Sequence, residues 1–134
     1  MDLSSQIRQF LAGRTYAVAG ASRDREKYGN KVLRALLQDG RAVYPLHPKE
    51  TEIEGIACYR DFASLPAPVD GLSIITPPAV TEQIVEQAAA AGVRNVWMQP
   101  GAESERAVQL ARQHGMNVIA GGPCLLVTLH YHET

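Results

Sequence analysis

Gly20-Ala21-Ser22 follows the apolar run Tyr16-Ala17-Val18-Ala19, and Tyr28-Gly29-Asn30 opens an apolar-striped segment a few residues later. A strand that empties into a small-residue loop and then feeds a helix is suited to holding phosphate. Glycine lets the backbone approach a ligand closely. A helix start adds unpaired N–H groups and partial positive charge. The charged run Arg23-Asp24-Arg25-Glu26-Lys27 fills the loop between the two groups. Gly20 and Gly29 stand too far apart for the compact G-x-G-x-x-G spacing, which argues against the standard dinucleotide fingerprint.

A second group, Pro45-Leu46-His47-Pro48-Lys49, follows the apolar stretch Ala42-Val43-Tyr44. An NAD site places Asp or Glu here, accepting from the ribose hydroxyls. This chain offers no carboxylate until Glu50 and presents Lys49 instead. A cation suits a phosphate on the ribose. Coenzyme A carries one at the 3′ position and NADP at the 2′ position; Lys49 suits either, and an ordinary solvated surface lysine is the equal alternative. Two more groups complete the set. Thr76-Pro77-Pro78 shapes a wall, with proline pre-organised for a helix start. Gln99-Pro100-Gly101 forms a turn whose Gln99 amide is expected to face the cleft.

The elements that must position these groups follow a repeated helix–Gly–strand phrase. Helices are predicted over 5–11, 30–39, 79–91 and 103–114, stopping at Gly13, Gly40, Gly92 and Gly115 with a left-handed residue. Buried stripes are expected at Val32, Leu33, Leu36 and Leu37, then at Val80, Ile84, Val85 and Ala88, then at Ala107, Leu110 and Ala111. Strands such as Leu72-Ser73-Ile74-Ile75 and Val118-Ile119-Ala120 are continuous apolar runs, the mark of a parallel sheet covered on both faces. Lys49 to Asp70 breaks the rhythm. It is read as a short strand Ile56–Tyr59 and one helical turn over 61–65, stopped by Pro66 and Pro68. The fold class expected is α/β, a three-layer Rossmann-like, doubly wound, mostly parallel sheet with helices on both faces. In such a sheet, loops past the strands' carboxyl ends converge on one ligand site.

Composition narrows the function. The chain has 134 residues and a formal net charge of −1, which fits one domain over 1–134. No broad basic surface for nucleic acid is expected. No apolar run is long enough to span a bilayer, and Met1 to Gln6 lacks the features of a signal peptide. Cys58 and Cys124 fit no zinc spacing, and a cytoplasmic protein with reduced thiols is the expectation. His114 ends a helix, where the dipole favours a cation. His130 and His132 make a weak metal pair. Cys124 reads as a small buried hydrophobe unless it starts a helix. No catalytic residue and no metal ligand is assigned.

The residues together resemble a family. Val18 to Ser22, Tyr28-Gly29-Asn30, Tyr44-Pro45 with Pro48-Lys49, Ile53-Glu54-Gly55, Val69-Asp70, Ile75 to Pro78 and Val96 to Gly101 match, in order, the small stand-alone CoA-binding proteins of the YccU-like kind. These look like the CoA-binding domain of the succinyl-CoA synthetase α subunit. The resemblance implies a Rossmann-like fold with CoA across the strands' carboxyl ends. Gly20, Ala21, Ser22, Tyr28, Gly29 and Asn30 would surround the pyrophosphate, with Lys27 beside them. Pro48 and Lys49 would meet the adenosine 3′-phosphate end, and His47 before them is counted with the cofactor-binding residues. Thr76, Pro77 and Pro78 would line the cleft, and Gln99 and Gly101, from the loop after the Trp97 strand, are counted with the cofactor-binding residues. His47 stands where that family has Asn, and Thr128-Leu129 where a Glu is common before the His. The function implied is a non-catalytic module for CoA or an acyl-CoA, a small-molecule ligand. An NADP-dependent oxidoreductase and a protein-interaction domain with a vestigial nucleotide pocket are the alternatives.

Overall fold

A computed structural model describes residues 2–133. In chain order the elements are α1 (Leu3–Leu11), β1 (Thr15–Ala19), α2 (Tyr28–Gln38), β2 (Ala42–Leu46), β3 (Glu52–Ile53) and β4 (Ile56–Ala57). A 3-10 turn (Phe62–Ser64) leads to β5 (Gly71–Ile74), α3 (Pro78–Ala90), β6 (Asn95–Met98), α4 (Glu105–Gln113), β7 (Asn117–Ile119) and α5 (Leu125–Thr128). Five strands form one parallel sheet in the order β2-β1-β5-β6-β7. The chain steps outward from β1 to β2, then crosses back to β5 and continues the other way. Strand order therefore reverses between β1 and β5, which is where an open α/β sheet opens a crevice at its carboxyl edge.

Alternation along each strand supplies two cores. Ala17, Ala19, Leu72, Ile74, Val96 and Met98 face α3 and α4, packing on Val85, Ala88, Ala107 and Ala111. Tyr16, Val18, Trp97 and Ile119 face the other way, onto Phe10, Val32, Leu33, Leu36 and Leu125. Trp97 and Phe10 meet edge to face with ring centroids 5.3 Å apart, a favoured aromatic geometry. The result is the expected three-layer, Rossmann-like α/β fold, with its strands buried on both faces.

Local details depart from the sequence reading. The helix predicted over 30–39 begins at Tyr28, which places Gly29 and Asn30 in its first turn. The helix predicted over 103–114 begins at Glu105, because Ser104 caps it by accepting from the Ala107 N–H at 3.0 Å. Val80, expected in a buried stripe, is 40% exposed, and Thr81 is buried instead. The Thr81 hydroxyl meets that of Thr76 at 2.7 Å and reaches the Pro77 carbonyl, so burial leaves it satisfied. Gly40, Gly92 and Gly115 are left-handed as expected, but Gly13 is not. A Cβ at Gly13 would lie 2.3 Å from the Asp70 Cβ, so space explains this glycine. The strand expected over 56–59 is half of a hairpin: β3 and β4 pair antiparallel around Glu54-Gly55, and Tyr59 bridges separately to Leu46.

Candidate functional site

The residues after β1 pack backbone on backbone. Gly20 has φ +90°, and a Cβ there would lie 1.9 Å from the Ile75 carbonyl oxygen. A Cβ on Gly29 would lie 2.0 Å from the Gly20 carbonyl oxygen. The first turn of α2 thus rests on the loop, and the loop rests on the exit of β5. Side chains at either position would prise these layers apart. The N–H groups of Ala21, Ser22, Tyr28 and Gly29 find no acceptor among the described residues. Lys27, at the helix start, provides no side-chain cap. The helix that starts on the other side of the switch point, α3, is also without one, at Pro77. By contrast α1 is capped by Asp2 and α4 by Ser104. Uncapped amides at the crevice retain the partial positive charge that attracts an anion.

A polar network fixes the loop from behind. The Ser22 hydroxyl accepts from the Asp24 N–H at 3.0 Å, and Asp24 Oδ1 accepts from the Glu26 N–H at 3.0 Å. Asn30 is fully buried, with its amide donating to the Ser22 carbonyl at 2.9 Å and to Glu54 at 3.0 Å. Its Oδ1 accepts from Arg34 Nε at 2.7 Å, and Arg34 also donates to the Arg25 carbonyl at 2.9 Å. Asn30, read from the sequence as a pyrophosphate contact, has its amide group engaged in shaping the loop. Arg34 escaped the sequence reading because nothing local marks it, and Glu54 entered it only within the Ile53-Glu54-Gly55 match, with no role of its own. Their partners lie across α2 and on a hairpin with no periodic pattern.

The cations divide into two sets. Arg23 lies 3.4 Å from Glu50 and Arg25 lies 3.3 Å from Glu54. Lys27 and Lys49 are exposed and have no carboxylate within 4.0 Å among the described residues. Lys49 follows His47 and the exposed Pro48 at the end of β2. His47 Nδ1 accepts from the Lys49 N–H at 3.0 Å and the Glu50 N–H at 2.9 Å, which closes the turn. Alongside runs Tyr59, which bridges to the end of β2 through His47 N–H to Tyr59 O and Tyr59 N–H to Pro45 O, both 2.9 Å. The bridge brings Arg60 to a polar cavity of about 360 Å³ that Lys49 also lines.

Beyond β5, Pro77, Pro78 and Val80 are exposed, giving a short apolar shelf beside half-buried Thr76. Gln99 departs from expectation. It is 0% exposed, donating to the Ser73 hydroxyl at 3.2 Å and accepting from the Leu125 N–H at 3.0 Å. Its amide ties β5 and β6 to α5 because a buried amide must spend its hydrogen bonds on the protein. Gly101 is exposed with φ +94°. Cys124 precedes the four-residue α5, and its thiol meets the Tyr28 hydroxyl. Burial, and then the thiol, push the Tyr28 phenol above its ordinary value, so it is protonated at neutral pH. Larger cavities, of about 540 and 830 Å³, lie along β7 between α1 and α4 and beneath the end of α3. Neither touches the open amides. Among the described residues, no group of three His, Cys, Asp or Glu is placed to hold a metal ion, and no helix is long and apolar enough to cross a membrane.

A family model described as a CoA binding domain matches residues 14–130. The α subunit of the ADP-forming acetate–CoA ligase II of Pyrococcus furiosus is 30% identical over 92% of this chain and 29% of its own length. The chain spans less than a third of the curated relatives it matches. A conserved hypothetical protein from Pyrococcus furiosus is 40% identical with a TM-score of 0.80, covering 86% of this chain and 98% of that one. A hypothetical protein from Pyrococcus horikoshii is 28% identical with a TM-score of 0.88, covering 97% of this chain and 90% of that one. The chain belongs to the CoA-binding domain family.

Proposed function

We propose that this family member is a single domain over 1–134 that binds coenzyme A, or an acyl-CoA, at the carboxyl edge of its sheet. It acts in the cytoplasm as a non-catalytic module for this small molecule, with no nucleic acid involved. The observation that carries the reading is the set of four open amides, on Ala21, Ser22, Tyr28 and Gly29, beside the β1–β5 switch point. A pyrophosphate matches that donor set in charge and in hydrogen-bond need. Gly20 and Gly29 keep the backbone close enough for the set to exist. Lys27 adds charge at the helix start, and Asn30 positions the loop. His47 and Pro48 present Lys49 to the phosphate on the adenosine ribose. Thr76, Pro77 and Pro78 form the wall, and Gly101 turns the loop facing it. Gln99 acts beneath the cleft, through Ser73 and Leu125. When bound, CoA would supply a thiol for carrying acyl groups. Ligase activity does not follow from the fold, because this chain matches only part of the ligases.

Isothermal titration with CoA, acetyl-CoA, NADPH and NADH tests the reading, with melting temperature followed in parallel. Saturable binding of CoA in preference to both nicotinamide nucleotides is the expected result. Preference for NADPH would overturn it, as would the absence of any CoA-induced rise in melting temperature.

A further inference from the structure

Arg60 was not among the residues that the sequence singled out, and nothing about its immediate neighbours marks it. The structure gives it a place. The parallel bridge between Tyr59 and Leu46 docks this segment against the end of β2. Residues 49 and 60 thereby line one polar cavity of about 360 Å³. Both carry a positive charge, and neither has a carboxylate within 4.0 Å among the described residues. The acidic groups lining that cavity are otherwise engaged. Glu50 lies 3.4 Å from Arg23. Asp61 Oδ1 accepts from both the N–H and the hydroxyl of Ser64, at 2.9 and 2.7 Å, and these bonds hold its carboxyl below the usual carboxylate range. Arg60 also attracts the Asp61 carboxylate, but neither cation forms a salt bridge among the described residues, and two such cations in one polar concavity offer a place for a compact anion. A guanidinium is the better half of such a pair, because its fork can grip two phosphate oxygens at once.

We infer that Arg60 is a specificity-determining residue that, with Lys49, clamps a phosphomonoester on the adenosine ribose. The inference rests on the proposed binding of CoA at the sheet edge. It goes further in placing discrimination at a residue on the β4–β5 connection, outside the loop after β2. The same chemistry is offered by the 3′-phosphate of CoA and the 2′-phosphate of NADPH, and the titration must separate them. Dephospho-CoA lacks the phosphomonoester and keeps the pyrophosphate.

The test titrates wild type, Arg60→Ala and Arg60→Lys with CoA, dephospho-CoA and NADPH at two salt concentrations. Arg60 is exposed, and equal melting temperatures check that the variants fold. Arg60→Ala is expected to weaken CoA about tenfold and to leave dephospho-CoA within about twofold, the loss expected for one charge-assisted contact. Arg60→Lys should recover part of the loss, and CoA affinity should fall less steeply with salt in Arg60→Ala than in wild type. Unchanged CoA affinity in Arg60→Ala, with wild type still preferring CoA over dephospho-CoA, would overturn the role of Arg60 alone. Equal loss for both CoA forms would overturn it too, since that reports general attraction. NADPH binding that loses affinity in the variant while CoA does not would reassign the clamp to the 2′-phosphate. Failure of wild type to bind any CoA form would remove the underlying reading and the inference with it.

Discussion

The amino rim of the sheet and the switch-point stretch of its carboxyl rim treat their polar groups in opposite ways. At the amino rim, Asp70 accepts from the Arg14 N–H at 2.7 Å, the Thr15 N–H at 3.1 Å and the Thr15 hydroxyl at 3.2 Å. Arg41 donates to the carbonyls of Leu11 and Gly13 and to the Tyr16 hydroxyl, and pairs with Asp39 at 2.7 Å. Asn95 and Asn117 stitch the starts of β5, β6 and β7 to one another and to α1. At the carboxyl rim near the switch point, two helices start uncapped, and the N–H groups of Ala21, Ser22, Tyr28 and Gly29 have no acceptor among the described residues. Each such group costs stability unless water or a ligand meets it. A rim that satisfies itself holds the sheet together, and a rim that leaves donors open is arranged for something else to complete it.

The largest effect that would sharpen this contrast comes from Gly29→Ala. Its Cβ would meet the Gly20 carbonyl oxygen at 2.0 Å, and backbone on both sides leaves little room to relax. Melting temperature should fall, with a destabilisation of about 3 kcal/mol. CoA binding should disappear in titrations run well below the new melting temperature. Retained binding in a folded variant would show that the close approach of α2 to the loop is not what arranges the amides.

Asp70→Ala probes the other rim and should separate stability from binding. It removes the acceptor for the Arg14 and Thr15 N–H groups, at a cost of about 2 kcal/mol. Those N–H groups, first Arg14 and then Thr15, hold the Asp70 carboxyl below its ordinary value. A depressed carboxylate contributes stability above its unfolded value, and this contribution is lost as pH falls through the folded one. Wild type should therefore lose stability on acidification over a range where the variant changes less, as read from urea midpoints against pH. CoA affinity at neutral pH should match wild type. A changed affinity would break the division between the rims.

Lys49→Ala carries a smaller expected effect and returns to the open rim. It should weaken CoA by about 1.5 kcal/mol and leave dephospho-CoA nearly unaffected. Titration of both ligands reads this directly. Equal weakening of the two would mean that the ammonium acts as diffuse charge. No weakening would mean that it is an ordinary solvated lysine.

How far the sequence carries one depends on the range of the forces involved. Stripes at helical spacing and glycines after helices are local signals, so the order of elements and the parallel sheet were legible. So was the convergence of the loops after β1, β2 and β5, since topology dictates it. Val80 was expected in the stripe that Thr81 occupies, because a hydroxyl can be buried once Thr76 and Pro77 satisfy it. Gln99 was misread because its partners, Ser73 and Leu125, are 26 residues away on either side. Asn30 lies beside the loop after β1, bonded to the Ser22 carbonyl, but its link to Glu54 crosses to a hairpin of two-residue strands. Strands that short have no period to detect.

The smallest expected effect is the most searching for the turn after β2. His47 stands where the resembling family has Asn, which looks from the sequence like a lost ligand contact. In the structure His47 Nδ1 points back into its own turn, accepting from the N–H groups two and three residues on. An Asn side-chain oxygen makes the same Asx-turn bonds from nearly the same position. His47→Asn should therefore change stability and CoA affinity by less than about 0.5 kcal/mol, within the range of neutral substitutions. His47→Ala, which leaves the Lys49 and Glu50 N–H groups without that acceptor, should loosen the turn and weaken CoA more than dephospho-CoA. Hydrogen exchange at those two amides reports the turn independently of the ligand. A loss of affinity in His47→Asn with both amides still protected would mean that the imidazole itself touches the adenosine, and the turn would then be secondary.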